Sequence, residues 1–243
     1  MSKLINFTNV NTPEAQALTK EWNEFLLHNN FDASFVREID MSQASPIIFD
    51  HEGNKFSINF VDNKQNYHKQ KASIKSELIS KALGTGRYGL NILDLSAGLG
   101  IDSVFLAQLG YSVTALERNP LIYLALNEAA KLAADAGLNL SLKFEFAEAL
   151  AYLQNNKITA DVIYFDPMFP QKEKSALPRQ EMVFFKNLVG QDADAEEVLA
   201  AALSVKGIKR VVVKRPLKAP ALLKPHSSTE GKLIRFDIYG VHS

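Results

Sequence analysis

The strongest constraint on the fold is the order of segments within residues 90–117. A short apolar strand leads into a turn that contains Gly98 and Gly100, and apolar residues then recur at helical spacing up to Gly110. A second strand follows directly and ends in Glu117. Glycines lack a Cβ and let the backbone of such a turn approach a ligand closely. The order of strand, glycine turn, helix, strand and terminal acid predicts a βαβ unit that binds a nucleoside.

Two residues of this unit separate the nucleoside cofactors that it could bind. Glu117 lies 19 residues beyond Gly98, close to the spacing at which an acid receives ribose hydroxyls. A nicotinamide site expects a third glycine, but that position is Ser103, and Asp102 lies where a diphosphate would dock. Negative charge there repels phosphate and suits an ammonium or a sulfonium. The residues therefore favour S-adenosylmethionine over a nicotinamide dinucleotide.

A second informative stretch is residues 160–170, where an apolar strand ends in a carboxylate, a proline and an aromatic residue. The run Val162–Phe165 is typical of a strand that is buried on both faces of a parallel sheet. Pro167 cannot donate to the ladder, so Asp166 is expected at the carboxyl end of the strand, where open α/β sheets bind ligands. Taken alone, this could be an ordinary Asp-Pro turn. Beside the βαβ unit, it predicts that Asp166 accepts from an amino group while Phe169 stacks on a nucleobase.

These motifs resemble those of the RsmJ family of small-subunit ribosomal RNA guanine-N2 methyltransferases. The resemblance rests on residues 94–120 and on residues 163–177, which include the string Asp-Pro-Met-Phe-Pro-Gln-Lys-Glu-Lys-Ser-Ala. It continues through residues 211–216 and 235–239, and so covers about residues 56–240. It implies a Rossmann-like class I methyltransferase, an α/β fold with a doubly wound, mostly parallel sheet whose last strand is antiparallel. S-adenosylmethionine would be the methyl donor, and a guanosine near the 3′ end of 16S rRNA the substrate.

The resemblance and the motifs together nominate the site residues. Those expected to bind the cofactor are Asp94, Ala97, Gly98, Gly100, Ile101, Asp102, Glu117, Arg118, Glu148, Ala149 and Asp166. Those expected to act on the base are Asp166, Pro167 and Phe169. Asp166 and the carbonyl of Pro167 would each accept one N–H of the guanine amine. The chain departs from its relatives at positions 148 and 149, where the family usually has small hydroxyl residues, and in the basic stretch 68–77, which lacks the relatives' glycines.

The distribution of charge favours an RNA partner although the net charge is +0. Residues 64–87 carry six basic side chains and one acidic one, and residues 206–224 carry seven basic side chains and no acid. A solvated charged face is the alternative interpretation of either cluster. Contacts with RNA phosphates would explain basic residues gathered at one rim of the sheet. The candidates for these contacts are Lys69, Lys71, Lys172, Lys174, Lys214 and Arg215.

Composition narrows the class of protein further. The chain has no cysteine, which excludes disulfides and thiolate metal sites and fits a reducing compartment. Its five histidines show no metal-ligand spacing, so we expect no metal. No apolar run approaches the roughly 18–20 residues that cross a membrane, and no signal-peptide pattern opens the chain. These features predict a cytoplasmic protein without a membrane partner.

Two domains are expected. Residues 1–62 predict a small N-terminal α/β module with a helix from Pro13 and a hairpin around residues 50–54. Residues 63–243 predict the methyltransferase domain, within which the irregular segment 171–194 is expected to face the substrate.

Alternative functions stay open at this level. An amino-directed methyltransferase acting on tRNA or DNA adenine would use the same motif with a different pocket. A small-molecule methyltransferase would not need the basic clusters. An RNA-binding module could hold S-adenosylmethionine without turnover. The match across residues 163–177 favours 16S rRNA among these.

Overall fold

The computed structural model describes residues 5–61, 74–84, 89–168, 188 and 193–241. The described helices are α1 (Pro13–His28), α2 (Ile74–Leu83), α3 (Ile101–Gln108), α4 (Pro120–Asp135), α5 (Ala149–Asn155) and α6 (Ala195–Leu203). The described strands of the N-terminal part are β1 (Phe7–Thr8), β2 (Val36–Asp40), β3 (Ile47–Asp50) and β4 (Lys55–Phe56). Those that follow are β5 (Asn91–Asp94), β6 (Ser112–Glu117), β7 (Leu142–Phe146), β8 (Val162–Phe165), β9 (Arg210–Pro216), β10 (Ser227–Glu230) and β11 (Ile234–Gly240).

The chain divides into two compact units. One consists of residues 1–62, 119–138 and 169–191, and the other of residues 63–118, 139–168 and 192–243. The division of the sequence into domains at residue 62 stays a prediction, because the first unit also takes in residues from later in the chain.

The first unit contains a four-stranded sheet in the order β1-β2-β3-β4. Strand β1 is parallel to β2, whereas the other neighbouring pairs are antiparallel. Helix α1 begins at Pro13, as predicted, because the side chain of Thr12 accepts a hydrogen bond from the Ala15 N–H. The ring of Phe25 in α1 stacks on that of Tyr123 in α4, with centroids 5.4 Å apart. The sequence did not predict β2.

The second unit contains a seven-stranded sheet in the order β10-β11-β9-β8-β5-β6-β7. The five strands from β9 to β7 are mutually parallel, and β11 runs antiparallel to β9. This confirms the predicted doubly wound, mostly parallel sheet with an antiparallel last strand. All four residues of β8 are buried, as its continuous apolar run predicted. Edge strand β10 and helix α5 are elements that the sequence did not predict.

Strand register decides which residues meet at the carboxyl edge of this sheet. Phe165 of β8 pairs with Val213 of β9. The residues that follow them in the chain, Asp166 and Lys214, are therefore neighbours. Asp94 at the end of β5 pairs with Tyr164. The ends of β5, β8 and β9 therefore bring together acidic and basic side chains that are distant in sequence.

Within the described part of the chain, no helix is long and apolar enough to cross a membrane. The same residues contain no cluster of three or more His, Asp or Glu side chains that could hold a metal ion.

Candidate active site

The glycine turn after β5 is tied to the end of β6. The Ala97 N–H donates to the carbonyl of Leu116, and the Gly98 N–H donates to Glu117 Oε2 over 3.0 Å. Gly98 and Gly100 have φ angles of 55° and 74°, a left-handed backbone that glycine adopts without strain. The predicted nucleoside unit is therefore assembled, with the buried Glu117 carboxylate directly beneath the turn.

Asp94 is the most enclosed acid of the site, with 1% of its surface exposed. It accepts hydrogen bonds from Ser103 Oγ at 2.6 Å and from the Ser96 N–H at 3.0 Å. Burial raises the pKa of Asp94 to about 7, although both hydrogen bonds oppose the shift. Ser96 Oγ in turn accepts from the Asp166 N–H at 2.8 Å, so this serine connects two strand ends.

Lys214 lies between the two other acids of the site. Its Nζ donates to Asp102 Oδ2 at 2.6 Å and to Asp166 Oδ2 at 2.7 Å. The hydroxyl of Tyr164 also donates to Asp102 Oδ2, at 2.7 Å. Asp102 lies in the first turn of α3, so one ammonium joins the glycine-turn side of the site to the end of β8.

Burial and neighbouring charge together set the pKa values of Lys214 and Tyr164. Burial by itself would lower the pKa of the Lys214 ammonium, but the carboxylates of Asp166 and Asp102 more than offset this and raise it above its usual value. Burial, followed by the charge of Asp102, raises the pKa of the Tyr164 hydroxyl well above its usual value. Both groups therefore keep their protons near neutral pH and act as donors.

The remaining cofactor candidates lie at the ends of β6 and β7. Arg118 Nη1 is 3.8 Å from Glu148 Oε1 and 3.8 Å from Asp194 Oδ1. Glu148 precedes α5, and Ala149 is the buried first residue of that helix. Ile101 begins α3 and is 38% exposed although it is large and apolar, which leaves an apolar surface beside the turn.

The predicted base-binding and RNA-binding residues are only partly described. Asp166 has 35% of its side chain exposed, and Pro167 is buried. Phe169, Lys69, Lys71, Lys172 and Lys174 lie outside the described residues. Arg215 is 3% exposed, and its Nη2 donates to the carbonyl of Pro220, so the structure places this side chain inside the protein. Burial and the charge of Arg235 lower the pKa of Arg215 to about 10.

Sequence reasoning missed four residues of the site: Ser96, Ser103, Tyr164 and Asp194. For Ser96 and Ser103 a signal was present, because hydroxyl residues beside a strand-terminal acid can donate to it. No local sequence pattern marks Tyr164, because its hydrogen bond to Asp102 joins residues that are 62 positions apart in the chain. Phosphate contacts by Lys214 and Arg215 stay predictions.

The chemistry of these groups fits one kind of ligand. The Glu117 carboxylate has acceptor oxygens of the kind that ribose hydroxyls require, and the exposed side chain of Ile101 is apolar, as the flank of an adenine ring requires. The charges of Asp102 and Asp166 contribute to the raised pKa of Asp94, so acidic groups are concentrated here and favour a cation. S-adenosylmethionine combines ribose, adenine, sulfonium and ammonium. The sheet order and this site define a class I S-adenosylmethionine-dependent methyltransferase.

Comparisons with known proteins identify the family. The family described as "Putative SAM-dependent methyltransferase" matches residues 24–241. The ribosomal RNA small subunit methyltransferase J of Bdellovibrio bacteriovorus is 43% identical over 94% of this chain and 92% of its own length. The protein of that name from Haemophilus ducreyi is 36% identical over 98% of this chain and 96% of its own. The chain belongs to the ribosomal RNA small subunit methyltransferase J family, as the sequence motifs predicted.

The fold has a known experimental counterpart. A crystal structure of a SAM-dependent methyltransferase from Neisseria gonorrhoeae matches with a TM-score of 0.68. It covers 98% of this chain and 96% of the other, at 24% sequence identity. At that identity the match supports the fold and no more.

Proposed function

We propose that this protein methylates the exocyclic N2 of a guanosine near the 3′ end of 16S rRNA, with S-adenosylmethionine as donor. The observation that carries the proposal is the carboxylate of Asp166, which is partly exposed at the end of β8, where the backbone N–H of the same residue donates to Ser96 Oγ. The names of the relatives support small-subunit ribosomal RNA as the substrate.

The chemistry required of the protein is alignment. A guanine amine is a weak nucleophile because its lone pair is delocalised into the ring. An ionised Asp166 accepts one N–H and the carbonyl of Pro167 accepts the other, which favours a tetrahedral nitrogen with its lone pair turned outward. When bound, S-adenosylmethionine supplies the electrophilic methyl group. Most of the acceleration then comes from orientation, and the proton released by the methylated amine passes to Asp166 or to water.

The residues on the cofactor side of the site have the remaining binding roles. Glu117 receives the ribose hydroxyls, and the acids around Asp102 favour the positive charge of the donor. Ile101, Arg118, Glu148 and Ala149 would enclose the adenosine. Phe169 would stack on the base, a contact worth about 1–3 kcal/mol. Lys69, Lys71, Lys172 and Lys174 would contact phosphates.

The same proposal includes the partners and the location. The protein acts on 16S rRNA or on the small subunit, needs no metal ion and works in the cytoplasm. The basic clusters in residues 64–87 and 206–224 support binding to RNA, which should weaken steeply as salt is added. Lys209 is excepted from these contacts, because it pairs with Asp161 at the amino end of β9, away from the carboxyl edge that holds Asp166.

The test is methyl transfer from labelled S-adenosylmethionine to isolated small subunits, to protein-free 16S rRNA and to tRNA, followed by mapping of the labelled nucleoside. We expect N2-methylguanosine from the wild-type protein. The Asp166→Ala variant should be folded and at least about 100-fold slower, whereas the exposed-acid control Asp135→Ala should match the wild type. Label in adenosine, or in tRNA rather than 16S rRNA, would favour an amino-methyltransferase with another substrate. Donor binding without any transfer would favour a binding module.

A further inference from the structure

We propose that Lys214 is a positioning residue that holds the Asp166 carboxylate ionised and aimed, and that links it to the cofactor-side acid Asp102. The proposal rests on the methyl-transfer function above and adds a residue that the function does not itself require. It starts from geometry, because one Nζ atom contacts one oxygen of each acid at 2.6 and 2.7 Å.

The position of Lys214 is built by the sheet. Lys214 follows three fully buried valines of β9, Val211–Val213, and its cross-strand partner on β11 is the buried Phe236. The rigid strand therefore fixes where the side chain begins, and the two carboxylates fix where it ends. With 20% of the side chain exposed, the ion pairs are partly screened from solvent. Pairs of this kind hold geometry better than exposed ones, in which two long side chains move freely.

The lysine does not serve as the base for the amine. A base has to accept a proton, and Lys214 already holds one at neutral pH because two carboxylates stabilise its charge. Its effect on the reaction must therefore pass through the acids that it contacts. Asp166 is the one of the two that ends β8, where the proposed amine binds.

An ionised carboxylate accepts hydrogen bonds and cannot donate them. Because a neighbouring ammonium favours the ionised form, Lys214 keeps Asp166 selective for N–H donors over carbonyl oxygens. The same ammonium would hold the carboxylate against rotation through its contact with Oδ2. Lys214 thus contributes both to the choice of an amino group and to its alignment.

The second contact extends this role to the cofactor side. Asp102 is in the first turn of α3, directly after the glycine turn, and Tyr164 donates to the same oxygen that Lys214 contacts. Tyr164 belongs to β8, two residues before Asp166. Lys214 and Tyr164 therefore join the start of α3 to the end of β8, so the acid beside the donor and the acid beside the amine are held in one network.

The experiment compares Lys214→Met and Lys214→Arg with the matched control Lys209→Met. Lys209 lies just before β9 and pairs with Asp161, but its side chain is 47% exposed and outside the network. Each variant is examined by thermal unfolding without ligand, by calorimetric titration with S-adenosylmethionine, and by kcat and KM for the RNA across a range of pH.

For Lys214→Met we expect kcat to fall about 100-fold while KM for RNA changes little, since misplacement of a reacting group has effects of that size. The affinity for the donor should be retained or increased, because removing the ammonium leaves the site more negative. The acid limb of the pH–activity profile should move to higher pH, because the carboxylate loses the charge that favours its ionised form. Lys214→Arg keeps the positive charge and should keep the acid limb in place with a smaller loss of kcat.

The opposite results overturn the proposal. It fails if Lys214→Met retains kcat within about 2-fold of Lys209→Met, or if it loses donor binding at an unchanged melting temperature. If Lys214→Met does not fold, Lys214→Arg decides alone: a shifted acid limb overturns the proposal, and an unshifted limb with a lower kcat supports it. Failure of the proposed function is distinct, because the wild-type protein would then not methylate small-subunit RNA at all.

Discussion

Lys214 and Arg215 are adjacent in sequence and both were predicted to contact RNA, yet the structure gives them different surroundings. Lys214 reaches the carboxylates of Asp102 and Asp166 at the carboxyl edge of the sheet. Arg215 turns to the opposite face, because successive side chains on a strand alternate. There it lies across from Arg235 on β11, beside the buried acid Asp237.

The face of β9 and β11 that carries Arg215 and Arg235 is held together by hydrogen bonds within the fold. Arg235 donates to both carboxylate oxygens of Asp237, at 2.7 and 3.1 Å. It also donates to the carbonyl of Pro216, the last residue of β9, and to those of Leu217 and Ala219 in the segment that follows. The hydrogen bonds to Asp237 are the main reason that the pKa of Arg235 is raised. The Arg235 cluster therefore holds the backbone that follows β9. The Lys214 cluster instead contains two acids at the carboxyl edge of the sheet, where Asp166 is partly exposed.

The same local pattern of basic residues therefore has two physical uses on the two faces of β9. The buried pair of Arg235 and Asp237, with its hydrogen bonds to backbone carbonyls, stabilises the fold. The ammonium of Lys214, which contacts two acids at the carboxyl edge of the sheet, positions groups of the candidate site. Stability and activity should therefore separate between the two faces of β9.

The largest expected effect on stability comes from Arg235→Met. This change leaves Asp237 buried without the guanidinium and removes the donor to three carbonyls, so the free energy of unfolding should fall by about 3–5 kcal/mol. Urea denaturation measures it. The control Arg37→Met breaks an exposed pair with Glu38 and should cost less than about 1 kcal/mol. Equal losses in the two variants would remove the structural role assigned to Arg235.

The next effect is a dependence of stability on pH that comes from Asp94. Burial raises the pKa of Asp94 from 3.8 to about 7, so between these values the folded protein keeps a proton that the unfolded chain releases. Stability from this group should therefore fall as pH rises through that window, by at most about 1.4 kcal/mol per pH unit, and level off above it. Asp94→Asn should flatten the slope seen in urea denaturation, whereas the exposed Asp135→Asn should not. An unchanged slope in Asp94→Asn would contradict the raised pKa.

A smaller effect is expected from Ser103→Ala, which removes the 2.6 Å hydrogen bond to Asp94 Oδ2. The cost should be about 1–3 kcal/mol, because a buried acceptor loses a donor. The loss should be greater above pH 7 than below it, since the hydrogen bond favours the ionised form and opposes the raised pKa of Asp94. Thermal unfolding at two pH values tests this, and an equal loss at both would argue against it.

The smallest effect belongs to Lys209→Met, at the amino end of the same strand. Its pair with Asp161 is largely exposed, so the free energy of unfolding should change by less than about 1 kcal/mol and methyl transfer should not change. Chemical denaturation and the transfer assay check both. A loss as large as that of Lys214→Met would mean that position along β9 does not decide the role of a lysine.

The sequence predicted the elements that depend on local patterns. The continuous apolar run of β8 and the stop at Pro167 placed Asp166 at the end of a strand, because proline removes a donor from the ladder. The glycine turn and Glu117 predicted the nucleoside unit. Their apolar periodicity and turn chemistry involve only near neighbours in the chain, so no tertiary information was needed.

Other parts of the fold gave weaker local signals. Helix α5 is only seven residues long, and the edge strand β10 has the polar sequence Ser-Ser-Thr-Glu. Short helices are stabilised by packing more than by their own propensity, and a polar edge strand is formed by its pairing with β11.

The class of fold, the glycine turn, the acid that ends β8 and the family could all be predicted from the amino-acid sequence. The contacts of Lys214 with Asp102, 112 positions away, and with Asp166, 48 positions away, exist only in the folded protein, as does the burial of Arg215 on the other face. Strand order and register bring distant residues together, and the alternation of side chains along a strand places adjacent residues on opposite faces. A single chain position carries neither kind of information.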